Sequence, residues 1–167
     1  MGLDMYLEVR KHFSGYDFAG EEEKVAAYKK VIEAAGLEDA SAKTSPYATV
    51  STTAIYWRKA NAIHGWFVDT LANGVDECQE IHVPREKLQE LREMCFDALS
   101  IPAGMTLADH AETVLPARSG FFFGSTEYDE WYEKDLQDTM DGIDRVLATL
   151  PEDGEGWDWS LVYRASW

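Results

Sequence analysis

The chain has 167 residues, 46% of them hydrophobic and 13% aromatic, which suits a folded domain and excludes general disorder. Its 31 acidic and 15 basic side chains give a formal net charge of −16, which opposes direct binding to nucleic acid or to an anionic membrane. No stretch reaches the roughly 20 apolar residues of a membrane-spanning helix.

In chain order, Leu3, Met5, Leu7 and Val9 alternate with Asp4, Tyr6, Glu8 and Arg10, the period of a half-buried strand. A turn containing Gly15 and Gly20 leads to a helix predicted over Glu21 to Ala35, with Gly36 as its stop. Residues 37–47 are small, polar and Pro-containing, and are expected to form a flexible loop. Ala48 to Ile55 is a β-branched strand, and Tyr56 to Val68 is expected to form one helix ending near Asn73-Gly74. Cys78 to Val83 reads as a short strand, and Pro84 opens a helix with Leu88, Leu91, Cys95 and Leu99 as its core stripe. Thr106 to Leu115 is a short helix. Gly120 to Gly124 is expected as an aromatic strand, with Ser125 or Thr126 capping the next helix. Trp131, Leu136, Met140, Ile143, Val146, Leu147 and Leu150 carry that helix to Pro151, and Trp157 to Trp167 alternate as a terminal strand. Alternating strands leave one sheet face wet, so the fold class is α+β: a mostly antiparallel sheet with helices packed mainly on one face, one domain over 1–167.

The sequence from Tyr56 to Val68, YWRKANAIHGWFV, concentrates cationic, aromatic and amide side chains within an acidic protein. Arg58 offers a planar fork for phosphate or carboxylate, Lys59 a point charge, Asn61 an amide and His64 a switchable donor. Trp57 could stack on a flat ligand. The structural alternative is that Arg58 and Lys59 pair with nearby carboxylates and that His64 is a satisfied core residue.

A second candidate lies in GFFFGSTEYDEWY, where Gly124, Ser125 and Thr126 before a helix would present N–H groups and hydroxyls to a phosphate, with Tyr128 available for stacking. It lacks the Lys and longer loop of a nucleotide triphosphatase, and plain helix capping, with the acidic first turn already supplying negative charge, is the favoured reading. The four His are scattered, and Cys78 and Cys95 lack partners at metal-ligand spacing, so neither metal nor cofactor is expected. Asp135, Asp138 and Asp141 read as a solvated helix face. The sparse cysteines and the absence of a signal-peptide pattern in MGLDMYLEVRK predict a cytoplasmic setting.

MGLDMYL, YWRKANAIHGWFV, the GVDEC segment from Gly74 to Cys78, GFFFGSTEYDEWY and the closing Ser-Trp together resemble a family of small proteins of bacteriophages, prophages and their bacterial hosts. The resemblance spans most of the chain and departs in a longer small-residue loop around Ala40 to Tyr47. It implies an accessory protein of a virus or mobile element acting in a bacterial cytoplasm, and transfers no catalytic residue.

Three functions compete at this level. The first is a non-catalytic binding protein that captures a small anionic or nucleotide-like ligand through Trp57, Arg58, Lys59, Asn61, His64, Gly124, Ser125, Thr126 and Tyr128. Such a protein would act as an anti-defence sponge and could form a homo-oligomer. The second is an acidic inhibitor that imitates DNA and engages a basic host protein through the run from Glu127 to Asp144. The third is a small hydrolase or transferase with His64 as base near Ser125 or Asp129.

Overall fold

Alternation in the first strand decides the layering. In the computed structural model, which describes residues 2–17, 19–41, 43–151 and 158–167, Leu3, Met5 and Leu7 are fully buried. The intervening Asp4 and Tyr6 remain partly exposed on the opposite face. The elements follow as β1 (Asp4–Ser14), α1 (Glu22–Ala35), β2 (Tyr47–Arg58), α2 (Asn61–Leu71), β3 (Ile81–His82), α3 (Arg85–Leu99), α4 (Leu107–Val114), α5 (Glu130–Thr149) and β4 (Trp159–Ser166).

The four strands form one antiparallel sheet in the order β2-β1-β4-β3. One sheet face supplies Met5, Leu7, Ile55, Trp57, Leu161, Tyr163 and Ala165 to a core completed by α2, α3, α4 and α5. The other face carries a charge network. There the buried Glu8 accepts from Arg164 Nε at 2.7 Å, Arg10 Nη2 at 2.9 Å and Ser51 Oγ at 3.0 Å. The hydrogen bond from Arg164, helped by Arg10 and Ser51 against the cost of burial, holds the Glu8 carboxyl at about 2. The fold is α+β.

The helix after the first turn runs as expected, and Gly36 ends it in the left-handed region at φ 65°. Its apolar stripe of Val25, Tyr28 and Ile32 is buried apart from the main core. A Cβ on Gly15 would lie 2.5 Å from the Tyr28 ring, so only glycine lets that ring close on the end of β1. Trp157 lies outside the described residues. Among the described residues no helix is long and apolar enough to cross a membrane.

The strand expected over Cys78 to Val83 shortens to Ile81–His82, because Cys78 turns into the left-handed region at φ 56°, and two further elements depart from the sequence reading. Tyr56, Trp57 and Arg58 belong to β2 and not to a helix: they continue the ladder with β1, pairing with Tyr6, Met5 and Asp4. β-branched and aromatic side chains fit that pleated surface, and the helix begins only at Asn61. The GFFFG segment is a turn, closed by Phe123 N–H donating to the Gly120 carbonyl at 3.1 Å. The turn buries Phe123 and leaves Phe121 95% exposed, and the core accepts only one of these two rings.

Candidate functional site

The end of β2 sorts consecutive residues onto opposite sides. Trp57 points into the core, 4% exposed, and its indole N–H donates to Thr139 Oγ1 at 2.7 Å. It is therefore a core residue with little surface left to stack on a ligand, a correction to the role expected for it, and it borders an open groove along β2 and α5. Arg58 faces outward with 61% of its side chain exposed, 4.0 Å from Asp4. Lys59 follows in the left-handed region at φ 62°, a conformation that costs a residue with a Cβ roughly 1–2 kcal/mol. That kink ends the strand after one last bond, from Lys59 N–H to the Leu3 carbonyl at 2.8 Å. Backbone strain of this kind gathers at binding sites.

Arg58 and Lys59 border a cleft of about 420 Å³ whose other walls come from Asn61, Gly124, Ser125, Glu127, Asp129, Trp131 and Asp135. Asn61 is itself buried and fully committed. Its amide donates to the Ser125 carbonyl at 2.7 Å and the Phe123 carbonyl at 3.1 Å, and its oxygen accepts from Arg118 N–H at 3.0 Å. Asn61 thus positions the wall and has no amide group left to discriminate a ligand. Gly124, at φ 88°, packs so closely that a Cβ there would lie 3.2 Å from two Lys59 side-chain carbons.

His64 is elsewhere. Its ring is 1% exposed, with Nδ1 2.7 Å from the Tyr163 hydroxyl and Nε2 3.0 Å from Asp76. A carboxylate only accepts, so Nε2 carries the proton and the Tyr163 hydroxyl donates to Nδ1. Burial lowers the imidazole below its ordinary value of 6.5 against the opposing pull of Asp76. Neither Ser125 nor Asp129 is among its partners, so the expected contact to ligand or catalytic hydroxyl is corrected: His64 is a satisfied core residue.

The loop before α5 also differs from expectation. Asp129 caps the helix, accepting from Trp131 N–H at 3.0 Å and Tyr132 N–H at 3.2 Å, so neither Ser125 nor Thr126 is the cap. Ser125 Oγ instead accepts from Glu127 N–H at 3.1 Å. The first-turn N–H groups of Trp131 and Tyr132 are therefore taken by Asp129, and the Gly124–Thr126 segment does not itself open the helix. Thr126 is exposed beyond the cleft lining, and Tyr128 turns inward, its hydroxyl accepting from Ala117 N–H at 3.1 Å. Neither borders the cleft.

Three lining residues escaped the sequence reading. The sequence groups Trp131 with the apolar residues that carry α5, yet it is 66% exposed at the cleft. The stripe that is buried runs through Tyr132, Leu136, Met140, Ile143 and Val146. Trp131 stands one position out of that phase and shares its face with Asp135 and Lys134, which is the signal that could have found it. Glu127 joins it at the loop. Asp135 is half-buried, and among the described residues no side chain donates a hydrogen bond to it or forms an ion pair with it. Burial, then Asp138, pushes its carboxyl up to about 6. Lys134, the cation beside it, is bound to Asp138 at 2.5 Å.

A second, more open groove of about 490 Å³ continues along β2 and α5 and shares Arg58, Trp131 and Asp135. Among the described residues no group of three or more His, Cys, Asp or Glu could hold a metal ion. Cys95 is fully buried, and burial pushes its thiol up to about 12, so it is an inert core residue. The chain matches no protein-family model, no curated protein and no solved structure.

Proposed function

We propose that this is a non-catalytic binding protein that captures a small anionic, nucleotide-like ligand in the cleft between the end of β2, the start of α2 and the start of α5. The observation that carries the reading is the placement of Arg58 and Lys59 on one rim of a cleft with the exposed Trp131 beside it. Lys59 forms no ion pair or hydrogen bond with another side chain among the described residues, although the chain carries 31 carboxylates. A guanidinium, a free ammonium and a flat indole suit a phosphate attached to a planar base. The volume falls within the usual range of small-molecule pockets, roughly 300–1,000 Å³. With the resemblance to phage and prophage proteins, this reading extends to a mobile-element accessory that sequesters a host signalling nucleotide in the bacterial cytoplasm.

Melting temperature is the first test, measured against mononucleotides, cyclic dinucleotides and adenosine-ribose compounds. At a hundredfold excess over its dissociation constant a captured ligand adds about 2.7 kcal/mol. A clear upward shift with at least one of these anions supports the reading, and no shift across the panel rejects it. The acidic-inhibitor reading has less behind it, because two carboxylates of the α5 run are already neutralised at home. Asp138 pairs with Lys134, and Asp144 with Arg92 at 2.7 Å.

A further inference from the structure

Charges of both signs face one cleft here without meeting each other. Arg58 and Lys59 stand on one rim, and Asp135 lines the same space with neither of them within ion-pair distance. In a folded protein a half-buried carboxylate normally gathers donors from its own chain, because leaving it without them is unfavourable. Asp135 has none among the described residues, while its neighbours Asp138, Asp141 and Asp144 each accept a side-chain hydrogen bond, from Lys134, Gln137 and Arg92. Glu130 and Glu133 on this helix also accept none, but both are exposed to water, whereas Asp135 is half-buried at the cleft.

We propose that Asp135 reads the ligand's hydrogen-bond donor edge and that the cleft is selective for a guanine nucleotide. This rests on the proposal that the cleft captures a nucleotide-like anion. A carboxylate is matched by two parallel N–H donors, the arrangement that makes bidentate pairing strong. Guanine offers N1–H and its 2-amino group side by side. Adenine and cytosine each offer one amino group next to a ring nitrogen lone pair, which repels the carboxylate. Uracil offers one N–H between two carbonyls. Trp131 supplies the stacking face, and Arg58 with Lys59 takes the phosphate at the other rim.

Calorimetric titration with GMP, IMP and AMP at a pH where Asp135 is ionised tests this. IMP retains N1–H and lacks only the 2-amino group. GMP is expected to bind at least about tenfold tighter than IMP or AMP, the scale of one good bidentate contact. Asp135→Asn should abolish the preference for GMP, because its amide sets a donor against one of guanine's two donors, while Arg58→Ala with Lys59→Ala should weaken all three and preserve their ratio. Equal affinities for the wild-type protein would overturn the guanine proposal and leave anion capture standing. If none of the three nucleotides binds, the guanine proposal falls, and the wider melting-temperature panel decides whether the cleft captures another anion. If Asp135→Asn fails to fold, the wild-type ratio of GMP to IMP decides alone.

Discussion

Asn61 holds Ser125 by its carbonyl at 2.7 Å, and through that bond a residue at the start of α2 fixes the far wall of the cleft. The same side chain also binds the Phe123 carbonyl and the Arg118 amide. Replacing it by alanine removes three hydrogen bonds, one of them buried and two partly buried. Asn61→Ala is therefore expected to lower the unfolding free energy by about 2–4 kcal/mol in urea titrations. A change below about 0.5 kcal/mol, the size of an ordinary surface substitution, would mean that the loop is held by something else.

The His64 ring makes stability depend on acid in a defined direction. The unfolded imidazole takes up a proton near its ordinary value of 6.5, whereas burial makes the folded ring resist it. The stabilisation from neutral His64 is complete above pH 6.5 and is lost as the pH falls below it toward the depressed folded value. His64→Gln should remove that part of the acid slope when unfolding free energies are compared across this range. Parallel slopes for both proteins would contradict a neutral, buried ring.

Asp135 contributes with the opposite sign. Its carboxyl is raised from 3.8 to about 6 in the fold, so the folded state favours the protonated form and stability declines as the pH rises through that window. After allowance for its partial exposure, Asp135→Asn should stabilise the protein by about 1–2 kcal/mol two pH units above the window and by nothing below it. A residue retained at a cost to stability is what a binding role would explain. No gain at the higher pH would show that the carboxylate is better solvated than its place between α5 and the cleft implies.

Gly124 and Gly104 separate strain from function. Both lie in the left-handed region, at φ 88° and 87°, so alanine at either should cost about 1–2 kcal/mol. Only at Gly124 does the new Cβ press on Lys59, whereas nothing lies within 4 Å at Gly104. Gly124→Ala should therefore weaken ligand binding while Gly104→Ala leaves it intact. Equal affinities for the two variants would place the ligand away from Lys59.

Periodicity made the architecture readable where one face of an element is buried. Leu3, Met5 and Leu7 announced the first strand, and Gly36 and Pro84 marked helix boundaries through fixed backbone preferences. The site was legible only in part. Arg58, Lys59, Asn61, Gly124 and Ser125 do converge on one cleft. They do so because β2 continues past Ile55 and Lys59 kinks the chain, which no local pattern reveals. A helix through Tyr56 to Val68 would have aligned Trp57, Ala60 and His64 on one face. Instead Trp57 and His64 reach the core from a strand and a helix respectively. Trp131 and Asp135 are hidden because the aromatic sits one residue from the core stripe of α5, a step of about 100° around the helix that carries it from the buried side to the cleft.

The most direct test is amide and indole NMR mapping with GMP. Capture in this cleft predicts shifts confined to the backbone of Lys59, Gly124 and Ser125 and to the exposed indole of Trp131, with the buried indole of Trp57 unmoved. Shifts centred anywhere else, or none at saturating nucleotide, would contradict it.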